Sequence, residues 1–257
     1  MVTAGEVARY LDDLLETGEV PDYPGALNGL QLDHVGPVRG IAAAVDVSLS
    51  VITAAVYAGA NLLVVHHGLF WADRERIVGA RYERLRQLFS HDIAVYSSHL
   101  PLDAHRSVGN NALLANTLDL EPSGGFAHFQ GVPIGVMGRA ELPTARLVER
   151  VRSAVSPWGG TVTATAHDDR RITRVWGICT GAGASTATLQ EAVSQGVDTL
   201  IVGEGPHHTA VDAPDLGLVV VYAGHYATET LGVQAIARDV SERFALPWTF
   251  VHVPSGL

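Results

Sequence analysis

The chain contains no lysine; its 17 basic residues are all arginine. It has a single cysteine, Cys179, and no apolar run near the ~20 residues that a membrane-spanning helix needs. Each scarcity excludes something. One cysteine cannot form an intramolecular disulfide, which fits a reducing cytoplasm. Against 27 acidic residues the net charge is -10, and no basic cluster stands out, so nucleic acid is not an expected partner. The opening MVTAGEVARYLDDLLETGEV is amphipathic and acidic. It lacks the basic end and apolar core of a signal peptide. The expectation is a cytoplasmic protein with no membrane contact. What the chain does have is a 47% hydrophobic composition over 257 residues, enough for one large core or two small ones.

Apolar periodicity orders the chain as alternating helices and strands. Thr3 with Glu6 forms a capping box that opens a helix over 3–17, with Val7, Tyr10, Leu11, Leu14 and Leu15 as its apolar stripe. A Gly- and Pro-rich segment follows over 18–37, with Asn28-Gly-Leu-Gln31 turning into a short strand. Further strands are predicted at 40–47, 61–65, 93–97, 160–166, 174–179, 199–203 and 218–223, and short strands within 126–138. Helices are predicted at 48–58, 81–90, 110–118, 144–155, 186–195 and 229–244. Such alternation predicts an α/β fold with mainly parallel central sheets. Two stretches repeat. Ala58-Gly-Ala-Asn-Leu-Leu-Val-Val65 matches Gln195-Gly-Val-Asp-Thr-Leu-Ile-Val202, and Val95-Tyr-Ser-Ser-His99 matches Val221-Tyr-Ala-Gly-His225. The echo suggests two related, interlinked α/β halves, 1–125 and 126–257, whose strand ends face a shared site, with the last helix expected to pack back on the N-terminal half.

The chemistry gathers at strand ends. The apolar run ending at Val65 stops in His66 and His67, then Gly68. Ligands bind at the carboxyl ends of strands in open α/β sheets. Each Val-Tyr repeat ends in a histidine with a carboxylate four residues on: His99 with Asp103, His225 with Glu229. Imidazole nitrogen and carboxylate oxygen together suit zinc, iron or manganese. The bland alternative is a set of His–acid pairs that merely fix loops. Lesser candidates are His207 and His208 after Gly203-Glu-Gly-Pro206, which either contact substrate or sit in a surface loop. Asp46 either points to the site or caps the next helix. Gly181-Ala-Gly183 reads as a tight turn rather than a phosphate cradle, Cys179 as an inert core residue, and Phe70 with Trp71 as a cavity wall or plain packing.

NGLQ at 28–31, VVHHG at 64–68, HLPLD at 99–103 and GHYATE at 224–229 together resemble the NIF3-like family of dinuclear metal centre proteins, labelled GTP cyclohydrolase 1 type 2 homologues. The resemblance runs over nearly the whole chain. It implies two divalent metal ions per subunit, zinc, iron or manganese, held by His66, His67, Asp103, His225 and Glu229. It further implies that His67 and Asp103 hold one ion, His66 and His225 the other, and that Glu229 bridges. His99 would then support a ligand or shuttle a proton, with His208 as a second acid–base candidate. The implied activity is metal-dependent hydrolysis of a small molecule, with nucleotide chemistry suggested by the label alone. A homohexamer and the short form without an inserted domain are also implied. The alternative is a non-enzymatic, metal-binding regulatory scaffold.

Overall fold

The computed structural model describes residues 1–71 and 75–257. These form two compact units, Met1–Leu102 with Gly232–Val253, and Asp103–Leu231 with Pro254–Leu257. The sequence echo predicts halves at 1–125 and 126–257, with the last helix packing back on the first. Two packing facts set the division into these units. The helix at 110–117 buries Leu114 and Ala115 in the second unit's core, and a C-terminal strand, Trp248–Phe250, pairs with a strand of the first unit.

The first unit opens with α1 (Ala4–Leu14). Its capping box is formed as the sequence predicts: Glu6 N–H donates to Thr3 Oγ1 (3.3 Å) and Thr3 N–H to Glu6 Oε2 (2.8 Å). Next come β1 (Gly29–Leu32), β2 (Ile41–Asp46), α2 (Leu49–Tyr57), β3 (Leu62–His67), α3 (Gly79–Ser90), β4 (Ala94–Ser97) and the start of α4 (Leu100–Ala104), whose Asp103 and Ala104 belong to the second unit. The five-stranded sheet has the order β1-β4-β3-β2-β11, where β11 is Trp248–Phe250. All its pairings are parallel except that of β1 with β4. Strands β2, β3 and β4 are almost wholly buried, which is why they read as continuous apolar runs rather than alternating ones. On one face Val51, Ile52 and Ala55 of α2 pack with Leu63, Val65 and Val95.

The second unit contains α5 (Asn110–Thr117), β5 (Pro122–Phe129), β6 (Val132–Pro143), α6 (Thr144–Val155), β7 (Thr163–Ala164), β8 (Ile172–Cys179), α7 (Thr186–Ser194), β9 (Thr199–Val202), α8 (His207–Asp215), β10 (Val219–Tyr222) and α9 (His225–Thr228). Helix α10 (Thr230–Phe244) carries the chain back into the first unit. The six-stranded order is β5-β6-β8-β9-β10-β7. Here β8, β9 and β10 run parallel, while β5, β6 and β7 join antiparallel, so this sheet is mixed. Alternate residues feed two cores: Ile201, Val219 and Val221 pack with α5 and α6, whereas Leu200, Val202 and Val220 pack with α7 and α8.

The sequence echo is a structural echo. Helices α2 and α7 are both followed by a glycine with positive φ, Gly59 (70°) and Gly196 (71°), and the next amide returns to the helix in both (Ala60 N to Ala55 O, 3.1 Å; Val197 N to Ala192 O, 2.9 Å). One residue on, Asn61 accepts from Arg39 N–H (2.7 Å) and Asp198 from Arg174 N–H (2.8 Å). The order β2-α2-β3-α3-β4-α4 is repeated as β8-α7-β9-α8-β10-α9. The short elements α4, α8, α9 and β11 carry no readable period. Helix α8 even contains a proline, Pro214. The strand predicted over 160–166 shrinks to the two residues of β7, paired with β10 at the sheet's edge. Among the described residues no helix is long and apolar enough to cross a membrane.

Candidate metal centre

In the first unit, β3 delivers His66 and His67 at its carboxyl end and β4 delivers His99 just past its own. Parallel pairing sets the register, with Val65 opposite Ser97 and Asp46 opposite His67. Ligand-capable nitrogens of His66, His67 and His99 therefore all lie within 4.8 Å of one another. The ring centroids of His66 and His67 are 4.7 Å apart, and those of His66 and His99 5.0 Å.

Each imidazole is held by its Nδ1. His66 Nδ1 donates to Ser98 O (2.8 Å), His67 Nδ1 to Asp46 Oδ1 (2.9 Å), and His99 Nδ1 to Asp22 Oδ1 (2.9 Å). A carbonyl or carboxylate can only accept, so each Nδ1 carries a proton, and in the neutral imidazole each Nε2 presents its lone pair. That is the arrangement in which metal-ligating histidines are held. Asp22 is itself organised. Asn28 Nδ2 donates to its Oδ2 (2.8 Å), while Asn28 Oδ1 accepts from His99 N–H (2.7 Å). Burial raises the Asp22 carboxyl pKa, but hydrogen bonds and charge from His99, then bonds from Asn28 and Tyr23 N–H, outweigh it and leave the group below its ordinary value. The NGLQ motif thus acts through Asn28, and through Gln31, whose Oε1 accepts from Leu69 N–H (2.6 Å) just past the histidine pair.

In the second unit, Glu229 lies near both Asp103 and His225. Asp103 and Glu229 are buried, 7% and 3% exposed, yet carboxylate oxygens of the two lie within 4.8 Å. His225 Nε2 is 3.2 Å from Glu229 Oε2, and its Nδ1 donates to Glu204 Oε1 (2.7 Å). Burial opposes the charged imidazole, but Glu229 and then Glu204 overcome this and raise His225 to about 9. Asp103 Oδ1 accepts from Asn110 Nδ2 (2.8 Å) and, more weakly, from Thr180 Oγ1 (3.4 Å). Gly181 makes room for the group. Its φ is +61°, and a Cβ there would lie 2.0 Å from Glu229 Oε1 and 3.3 Å from His225 Nε2. The Gly181-Ala-Gly183 segment is therefore a close-approach turn, and α7 beyond it is capped by its own Ser185. Burial, then the charges of Asp103 and Glu229, push the Cys179 thiol up, and the residue is a buried, inert part of the core.

These donor groups fit divalent metal ions. Two buried carboxylates at this separation repel one another unless a cation or a shared proton intervenes. The field that favours a proton on His225 also favours a metal ion there.

The remaining candidates fall elsewhere. His207 and His208 open α8 as exposed residues, and His208 Nε2 bonds Thr186 Oγ1 (3.1 Å). Neither belongs to the close His/carboxylate groups found among the described residues. Trp71 packs edge-on against His99, with centroids 5.0 Å apart. Asp46, weighed as a helix cap, orients His67, and Ser48 does the capping. Sequence reasoning does not single out Asp22 or Glu204. Carrying the echo two residues past Val202 sets Glu204 opposite His67, a usable signal; Asp22, 77 positions from His99, offers none.

The family model described as Duf34/NIF3 (NGG1p interacting factor 3) matches residues 2–255. A Deinococcus radiodurans protein named GTP cyclohydrolase 1 type 2 homolog is 40% identical over 254 residues, covering 98% of this chain and 94% of that one. Among solved structures, TTHA1606 from Thermus thermophilus is 35% identical with a TM-score of 0.81, covering all of both chains. A structural-genomics protein called ybgI, described as of unknown function, is 30% identical with a TM-score of 0.87, again over both whole chains.

Proposed function

The chain belongs to the DUF34/NIF3 family, and on that premise we propose that it is a hydrolase using two divalent metal ions per subunit, held by His66, His67, Asp103, His225 and Glu229. The observation that carries the reading is the pair of buried carboxylates, Asp103 and Glu229, with oxygens within 4.8 Å. Supporting it are four histidines whose Nδ1 atoms are all committed to acceptors. Bound ions of this kind supply Lewis-acid polarisation and lower the pKa of water. The chain's own residues do the rest. Asp22 holds His99 in one tautomer, so Nε2 is the atom that takes or returns a proton. His99 is preferred to His208 for this role because it stands among the ligand-capable groups. The substrate is a small molecule, with a nucleotide favoured by the name its relatives carry. The working form is a cytoplasmic homohexamer, supported by the family resemblance.

The test couples metal content to turnover. Purified protein loaded with zinc, iron or manganese should keep about two ions per chain after dialysis, and Glu229→Ala should lose them together with hydrolysis of a nucleotide panel. Retention of no ion by the unsubstituted protein would sink the reading. Full metal content without turnover on any substrate, with Glu229→Ala still functional in cells, would leave the metal-binding scaffold instead.

A further inference from the structure

A cavity of about 470 Å³ opens beside His67 in the first unit, lined by Asp46, Trp71, Arg76, Arg81 and Arg84 among others. We infer that this cavity binds the phosphate group of a small phosphorylated molecule, with Arg76, Arg81 and Arg84 as its anion-binding residues.

The helix puts them there. Arg81 and Arg84 are three apart on α3 and share the face on which Leu85 and Leu88 are buried, so the buried leucines fix that face against the unit. Arg86 points elsewhere and is paired with Glu83 (2.8 Å from Nε to Oε2). The cavity's own acids are already engaged. Asp46 holds His67 Nδ1, and Glu75 is paired with Arg81. Among the described residues no carboxylate pairs with Arg76 or Arg84, so the lining keeps an excess of positive charge in a chain of net charge -10. Two guanidinium donors are also unmet: Nε of Arg81 and Nε of Arg84 are buried without a hydrogen-bond partner. An unmet buried donor is costly, and more so on a charged group. A rotation of either guanidinium toward the cavity would present Nε to an anion's oxygens.

The chemistry selects the anion. Guanidinium forks match phosphate oxygens in pairs, and several of them around one cavity suit a multiply charged group better than a single carboxylate. The volume falls within the roughly 300–1,000 Å³ of small-molecule sites. Trp71, 38% exposed, gives the wall an apolar surface for the rest of the molecule. Since His67 lines the same cavity, a phosphate on the arginines leaves the ligand's other end at the proposed metal ligands. Only that last point rests on the proposed function; phosphate binding itself does not.

The experiment measures calorimetric binding of inorganic pyrophosphate, a nucleoside triphosphate, the parent nucleoside and a thymidine oligonucleotide to the full chain. It is run as purified and again after chelation. Expected are binding of pyrophosphate and triphosphate but not nucleoside, persistence after chelation, and at least tenfold weaker binding in Arg84→Ala. Arg84→Lys should fall between, and Arg86→Ala should match the parent, with metal content unchanged throughout. The inference is overturned if Arg84→Ala and Arg76→Ala both bind pyrophosphate like the parent, if binding vanishes on chelation, if the parent binds none of the probes, or if the oligonucleotide binds more tightly than the triphosphate. Phosphate binding without retained metal would overturn the proposed function alone; retained metal without phosphate binding would overturn this inference alone.

Discussion

Single side chains at this site work in pairs, one presenting an atom and another holding it. Among the described residues the Asp46 carboxylate bonds only the rear nitrogen of His67, so Asp46→Ala should leave the fold intact and weaken metal binding about 10–100-fold, as loss of such supporting partners does. Competition against a chromogenic chelator measures it, and unchanged affinity would show that His67 needs no such support or is no ligand. Gly181→Ala brings a methyl group against Glu229 at a left-handed position. The backbone strain alone should cost about 1–2 kcal/mol, and metal binding should fall with it, read by denaturant unfolding and metal analysis on the same sample. Asp22 gives a pH signature. Its folded pKa lies below the ordinary 3.8, so its contribution to stability is present above that value and is lost as pH falls through the lowered one. Asp22→Asn should therefore destabilise the protein at neutral pH and flatten the acid limb of the stability curve below about pH 4. An acid limb identical to the parent's would contradict the assignment.

Elements are set by local signals where those signals are strong. Thr3 and Glu6 close their box as the spacing requires, and Thr3→Ala should cost about 1 kcal/mol, visible as a lower melting temperature. Helices α2, α6 and α7 begin where the sequence predicts, because a cap or a sharp change of period marks each start. The paired glycine stops at Gly59 and Gly196 make the duplicated strand–helix unit readable without coordinates. Elements of four or five residues, α4 and α9, escape because a single turn holds too few positions to show a period. Yet α9 carries His225, and Asp103 lies in α4. Motif spacing finds these residues where secondary-structure patterning does not.

For the molecule as a whole, metal should act as a folding ligand. At free metal about 1,000 times its Kd, one bound ion stabilises by about 4 kcal/mol. Chelation should thus lower the melting temperature and re-addition of metal restore it; a temperature indifferent to chelation would argue against ions held by these residues. The division into two units follows long-range packing. Helix α5 commits to the second sheet and β11 to the first, choices that depend on partners far away in sequence.

Composition, alternating periodicity and four short motifs were enough to specify the α/β class, most of the long elements, and the identity of His66, His67, Asp103, His225 and Glu229 as candidate ligands. Such features are local: a cap, a period or a His-x3-acid spacing lies within a few residues of itself. The partner Asp22, the mixed character of the second sheet, the room left by Gly181 and the arginine-lined cavity were not legible in that way. Each arises from strand register and side-chain approach, which bring together residues that share no spacing along the chain.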